Sequence, residues 1–249
     1  MIPSKIITPK DIVFGSMRML EYDYSFAYWV DLFSKLHDAG VTKFHSSIEY
    51  ESFAFYCDVL TVFYQEYPEK KIKHIVKLAE PSFHEHQFNQ EQLFNKIEEY
   101  LLKLNTEKLY GIQWMWRGNL ENNQERLLKF TSQYSNINES IIELKENHKI
   151  DNFFCFPYDA NFAITAIQQE QIDGLIVYRN VFETEYDDAL TLSTSLNKKN
   201  YILRPLFGGK ALSQDNKLPK ELVQWALNFS KIEGAIISIS SIAKFEEII

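Results

Sequence analysis

The sequence predicts one closed (β/α)8 barrel, and three observations carry that expectation. The chain has 249 residues, close to the roughly 250 that a single barrel of eight α/β units needs. Short β-rich runs alternate with longer stretches of helical spacing, eight times over. No low-complexity tract, internal repeat or Pro/Gly-rich linker divides the chain, so residues 1–249 are read as one domain.

The strand candidates, in order, are Ile12–Gly15, Val41–Ser46, Ile72–Leu78, Leu109–Trp114, Asn152–Phe156, Gly174–Val177, Tyr201–Leu203 and Ala235–Ile239. Helical patterns fill the intervals. In Phe26–Ala39 the residues Trp29, Phe33 and Leu36 share a face, and Gly40 follows as a C-terminal stop. The others are Ser52–Tyr67, Gln90–Leu104, Glu139–His148, Ala160–Gln168, Thr184–Leu196 and Pro219–Lys231, the last with Pro in its first turn. Strands flanked in this way favour a parallel sheet with both faces covered. Eight such units close more naturally than they extend, with an open doubly wound sheet as the structural alternative. The polar, Asn-rich stretch Gly118–Asn138 exceeds a usual βα connection and is expected as a lid loop or an inserted surface helix.

Composition narrows the function. Hydrophobic residues make up 45% and charged residues 24%, enough for a large core. The net charge of −8 leaves no electrostatic footprint for a polyanion, so nucleic acid is not an expected partner. Cys57 and Cys155 both lie in apolar surroundings (FAFYCDVL and NFFCFPY) and are expected as buried small hydrophobes, not as a disulfide or redox pair. The N-terminal MIPSKIITPKDIVFG lacks the apolar core of a secretory signal, and no run of 18 apolar residues occurs. A cytoplasmic protein with no membrane partner is expected.

Several catalytic signatures are missing: there is no Gly-x-Ser-x-Gly elbow, Walker loop or Gly-x-Gly-x-x-Gly. The pairs Glu98-Glu99 and Asp187-Asp188 fall on solvated helix faces. His84-Glu-His86 would put two imidazoles on one side of an extended segment, but no third ligand stands at a supporting spacing, so no metal is expected. Aromatics cluster at Tyr22, Tyr24, Phe26, Tyr28 and Trp29 near the first loop, and at Trp114 and Trp116 beside the fourth strand. The two tryptophans could form a stacking platform for a ring or pack beneath the loop that follows.

A chain-wide resemblance gives these pieces an order. Ile12-Val-Phe-Gly-Ser-Met-Arg-Met19 resembles the opening strand of the aldo/keto reductases, and Leu36-His-Asp-Ala-Gly-Val-Thr-Lys-Phe-His-Ser-Ser-Ile-Glu-Tyr50 resembles that family's second unit, with its loop tyrosine. The similarity continues through His74–Leu78, Tyr110–Trp116, Ile172–Asn180, Leu203-Arg-Pro-Leu-Phe-Gly-Gly209 and Ile236–Ser241. Each segment is a weak signal alone; their order and spacing make the fold expectation strong.

The resemblance implies reduction of a carbonyl by a nicotinamide cofactor, with a tyrosine giving a proton to the carbonyl oxygen and a lysine lowering that tyrosine's pKa. Here Tyr50 matches the acid and Lys77 its activating partner. The matching cofactor positions are Arg204, Leu206, Gly208 and Gly209 after strand seven and Ser238, Ser240, Ser241 and Lys244 after strand eight, for NADP or NAD. The substrate positions are His45, Trp114, Met115 and Trp116.

Four departures qualify this set. His45 stands where the family carries an Asp that pairs with the lysine, so Lys77 needs another counter-charge, for which Glu49 and Glu80 are candidates. Met115 replaces a substrate-holding histidine, and Phe156-Pro157 replaces the residues that grip the carboxamide. Ser240 and Ser241 replace the basic contact to a 2′-phosphate, leaving Lys244 as a partial substitute. The chain also stops at Ile249, inside the last helix, so an open substrate pocket or one completed by another subunit is expected. Two readings follow: a divergent NAD(P)H-dependent reductase acting on a small carbonyl compound, or a catalytically degenerate barrel that binds a small ligand or a protein. A homo-oligomer fits either.

Overall fold

A computed structural model describes residues 6–80, 87–117, 122–214, 218–229 and 231–249. The His84-Glu-His86 pair and the first residues of the 118–138 stretch lie outside them. Eight parallel strands, β1 (Ile12–Gly15), β2 (Lys43–Ser46), β3 (Lys73–Ala79), β4 (Gly111–Met115), β5 (Phe153–Phe156), β6 (Gly174–Tyr178), β7 (Lys199–Leu203) and β8 (Ile232–Ile237), follow one another around a closed ring. The closing register pairs Ile12 with Ala235 and Phe14 with Ile237. The open-sheet alternative is thereby excluded.

The helices are α1 (Phe26–Ala39), α2 (Phe53–Glu66), α3 (Gln90–Lys103), α4 (Asn123–Glu146), α5 (Ala160–Ile167), α6 (Asp187–Ser195), α7 (Lys210–Gln214), α8 (Pro219–Leu227) and α9 (Ile242–Glu246). None among the described residues is long and apolar enough to cross a membrane. Local chemistry sets their ends. The Ser25 hydroxyl caps α1 by accepting from the Tyr28 N–H at 3.3 Å, and Gly40 ends it at φ 107°, a left-handed conformation that glycine adopts without a Cβ penalty. Helix α4 and strand β8 are two of the elements that differ from expectation. α4 begins at Asn123, not near 139, because Asn122 caps it through the Glu125 N–H at 2.9 Å and Phe130, Ile137, Ile141 and Leu144 give it one buried stripe. Strand β8 begins three residues early, at Ile232, with the exposed Glu233 and the buried Gly234 masking its start in the sequence.

The described residues group into two compact units. One comprises those within Met1–His74, Tyr178–Thr184 and Tyr201–Ile249; the other comprises Ile75–Val177 and Glu185–Asn200. In the first, Phe14 and Phe44 turn outward onto Phe33 of α1, with ring centroids 5.1 and 5.0 Å away. Because strand side chains alternate, Val13, Gly15, Lys43 and His45 form the inward rows, and the Lys43 ammonium lies 5.5 Å from the Tyr201 ring. His74 also turns outward: its Nε2 lies 2.9 Å from the Tyr64 hydroxyl and its Nδ1 3.5 Å from that of Tyr56, both on α2. Full burial lowers its pKa to about 3, so the imidazole is neutral.

In the second unit the outward row of β4 carries Ile112 and Trp114, with Trp114 against Phe130 of α4 and Phe153 of β5 at 5.9 and 5.8 Å. The inward row is Gly111, Gln113 and Met115. A Cβ at Gly111 would come within 2.6 Å of the Phe154 ring, so the missing side chain makes room for that phenylalanine. Cys155 is buried and Cys57 half-buried, both as free thiols, and burial raises the pKa of Cys155.

Candidate active site

The first unit holds a cavity of about 590 Å³ lined by the loops that follow β1, β2, β7 and β8. Its volume falls in the range of small-molecule and cofactor sites. The loops stand at the C-terminal ends of their strands, the face on which barrel enzymes build their sites.

From β2 come His45 and Tyr50. Tyr50 rides a tight turn: its N–H donates to the Ser47 carbonyl at 3.0 Å, and its own carbonyl accepts from the Phe53 N–H at 2.9 Å. The two rings lie 6.2 Å apart between centroids. Just beyond, the buried Ser52 hydroxyl donates to the carbonyls of Ser16 and Met17 at 2.9 and 3.2 Å. That bond ties the tyrosine turn to the 3-10 segment Ser16–Glu21 after β1, which brings Met17, Arg18 and Tyr22 to the lining.

The loop after β7 contributes Arg204, Pro205, Leu206, Phe207, Gly208, Gly209 and Lys210. Four of these have left-handed backbone, with φ of 56° at Arg204, 50° at Phe207, 65° at Gly208 and 91° at Gly209. Such conformations cost non-glycine residues energy and concentrate at ligand sites. Surrounding bonds over-determine the turn: Asn180 donates to the Arg204 carbonyl at 3.0 Å, the Phe207 N–H donates to the same carbonyl at 2.8 Å, and the Gly209 N–H donates to Leu206 at 2.8 Å. A Cβ built on Gly208 or Gly209 would meet nothing within 4 Å, so open space lies above both. The Arg204 guanidinium bonds Glu183 at 3.3 Å and stacks over the Tyr178 and Phe207 rings.

After β8, Ser238 and Lys244 reach the cavity, and Lys244 lies 4.9 Å over the Tyr22 ring. Ser240 and Ser241 do not line it. Ser240 is buried, its hydroxyl accepts from the Lys244 ammonium at 2.8 Å and its carbonyl from the Tyr28 hydroxyl at 2.9 Å. Ser241 caps α9 by accepting from the Lys244 N–H at 3.2 Å. Both therefore act on the local frame that aims Lys244. The lining carries Arg18, Arg204, Lys210 and Lys244 against Glu247, a basic basin on a chain of net charge −8.

The remaining candidate positions belong to the second unit. Lys77 stands on the inward row of β3, half-buried, and its carbonyl accepts from the Tyr100 hydroxyl at 2.7 Å. Glu80, offered above as a counter-charge for Lys77, is fully buried and pairs with Lys96 of α3 at 2.9 Å. Met115 ends the inward row of β4 with 7% of its surface exposed. Trp114 and Trp116 are both 0% exposed and meet edge to face at 5.7 Å. Neither offers a ring face to solvent, so the platform expectation gives way to core packing under α4. Among the described residues no three His, Cys, Asp or Glu side chains group as a metal site would require.

Sequence reading missed Arg18, Tyr22 and Lys210 as lining residues. Arg18 lay within a quoted segment, but nothing local marks it; its place follows from the Ser52 tie between two loops.

No family profile matches the chain, and no curated protein matches it by sequence. Solved structures do. A protein of Pseudomonas aeruginosa assigned to the aldo-keto reductases is 15% identical with a TM-score of 0.73, over 96% of this chain and 87% of that one. An aldo-keto reductase from Bacillus halodurans in its holo form is 11% identical at 0.70, covering 95% and 84%. An aldo/keto reductase from Klebsiella pneumoniae, in complex with NADP and acetate, is 15% identical at 0.70, covering 95% and 83%. Over nearly its whole length the chain has the barrel fold of the aldo-keto reductases.

Proposed function

We propose that the chain is an aldo/keto reductase-like oxidoreductase that reduces a carbonyl compound with NADPH or NADH. The observation that carries this is the shared cavity: Tyr50 lines the same space as the glycine turn after β7 and the cations Arg204, Lys210 and Lys244. The residues fit the cofactor. Backbone at Gly208 and Gly209 opens onto unfilled space, and the basic lining suits a pyrophosphate. Leu206 and Ser238 complete that wall. The Klebsiella protein of the same fold, solved with NADP, supports the same assignment.

The dinucleotide, when bound, supplies the hydride that reduces the carbonyl carbon. Tyr50 donates a proton to the oxygen on which negative charge develops, and Lys77 is the activating partner that the family resemblance assigns to it. His45, which lines the same cavity as Tyr50, takes the part of the substrate-holding histidine that Met115 replaces. Purified protein should oxidise NADPH or NADH in the presence of small aldehydes. Tyr50→Phe should lower kcat by about 10²-fold or more while leaving cofactor affinity nearly unchanged, the size expected for a general acid. Unchanged turnover in that variant removes Tyr50 from its role.

A second reading has its own support. Met115 and Phe156, both inward, offer no hydrogen-bond donor where the family holds substrate and carboxamide. A degenerate barrel that binds the dinucleotide or another small ligand without turnover would keep the β7 turn and dispense with these donors. Tight cofactor binding with no reduction of any aldehyde selects it.

A further inference from the structure

The cations of the cavity fall into two sets by the strand that carries them. Arg204 and Lys210 follow β7 and Lys244 follows β8, the loops assigned to the cofactor phosphates. Arg18 follows β1, whose Gly15 is the direct register partner of His45 on β2. The Ser52 bonds to Ser16 and Met17 fix its segment against the turn that carries Tyr50. A fourth cation thus lines the same cavity from the segment after β1, which the Ser52 bonds tie to the turn that carries Tyr50.

Among the described residues Arg18 has one ionic partner, Glu21, which engages only its Nε. Its Nε bonds Glu21 at 3.3 Å across a solvated i,i+3 pair, and its two terminal nitrogens make no hydrogen bond among the described residues. A guanidinium keeps its charge at every physiological pH and presents paired N–H groups that match the two oxygens of a carboxylate. Among the described residues, Glu21 on its own segment pairs with it and Glu247 lines the same cavity. Neither makes the bidentate contact that would close the fork.

We infer that the carbonyl compound this cavity takes carries a carboxylate, and that Arg18 holds that carboxylate while the carbonyl faces Tyr50. The inference rests on the reductase reading above and adds its substrate class: an oxo acid, not a neutral aldehyde. Gly15, Arg18, His45 and Tyr50 all line this one cavity.

A matched pair of probes tests it, 4-carboxybenzaldehyde and 4-methylbenzaldehyde, similar in size and different in charge. With the intact protein and NADPH or NADH, kcat/KM should favour the carboxylate by at least about tenfold, the size of one charge-assisted hydrogen bond in a water-accessible site. The gain should lie mainly in KM. Arg18→Gln should bring the ratio of the two toward one, and Arg18→Lys should restore part of it. A ratio near one in the unmodified protein, or one that Arg18→Gln leaves unchanged, overturns the inference even if the enzyme is a reductase. If neither aldehyde is reduced, the reductase reading fails, and calorimetric titration with the same two compounds still reads the Arg18 site. Tighter binding of the carboxylate that Arg18→Gln abolishes supports it; equal binding of both overturns it.

Discussion

The strand ends of the first unit and the β4–α4 region of the second both combine aromatic and basic side chains, yet they do opposite things. In the second, Trp114, Trp116, Phe130 and Phe153 close on one another, and Arg126 is stapled down: its Nε donates to the Trp116 carbonyl at 3.1 Å and its guanidinium lies 3.8 Å over the Tyr158 ring. In the first, Tyr22, Phe207 and four cations surround open space. The difference lies in the backbone. The 204–209 turn holds four left-handed residues with nothing above its glycines, whereas α4 covers β4 with a continuous buried stripe. Aromatic density alone does not mark a site; a conformation that side-chain packing does not require, next to unfilled volume, does.

The comparison can be broken most forcefully at Trp114. Truncation to Ala should remove about 3–5 kcal/mol of stability, the usual cost of a large aromatic taken from a closed core, with little change in cofactor affinity. Urea unfolding and a binding titration read both. A small stability loss with a large affinity loss would return Trp114 to the ligand.

A second test concerns His74, buried between two tyrosines of α2. Its folded pKa of about 3 lies below the unfolded value of 6.5, so protons bind the unfolded chain preferentially. The stabilisation it gives is complete above pH 6.5 and is lost as pH falls toward 3, at up to about 1.4 kcal/mol per pH unit. Urea midpoints between pH 7 and 4.5 should fall accordingly, and His74→Gln should flatten part of that fall. Identical pH slopes in both proteins would remove His74 as a cause.

Gly209→Ala probes the turn itself. At φ 91° any side chain is strained although the space is open, so we expect about 1–2 kcal/mol of lost stability with roughly tenfold weaker cofactor binding. Loss of stability without loss of affinity would make the turn merely structural. The smallest effect is expected at Lys244, held by Ser240 and poised over Tyr22. Lys244→Ala should weaken NADPH more than NADH by a few-fold at low salt, the range of one exposed charge contact.

Much of the fold was legible because each strand is an apolar run with sharp punctuation, and eight of them in order admit few topologies. The first half of α4 was not, since Asn, Ser and Gln dilute a stripe whose buried members are only Phe130, Ile137 and their successors. The site was legible where it is local. Tyr50, His45, Arg204 and the 208–209 glycines could be named from their segments and do line one cavity. Ser240 and Ser241 were misplaced because a serine before a helix reads equally as a ligand group or as a cap, and here the α9 N–H and the Lys244 ammonium take their oxygens. The place of Arg18 in the lining was invisible because its segment is tied down by hydrogen bonds from Ser52, 34 residues further along the chain.

The most direct measurement is equilibrium titration of the intact protein with NADPH and NADH, followed by quenching of tryptophan fluorescence. Saturable quenching at micromolar concentrations, weakened by Gly209→Ala but not by Tyr50→Phe, is the predicted result. No binding of either dinucleotide up to millimolar concentration would contradict the account.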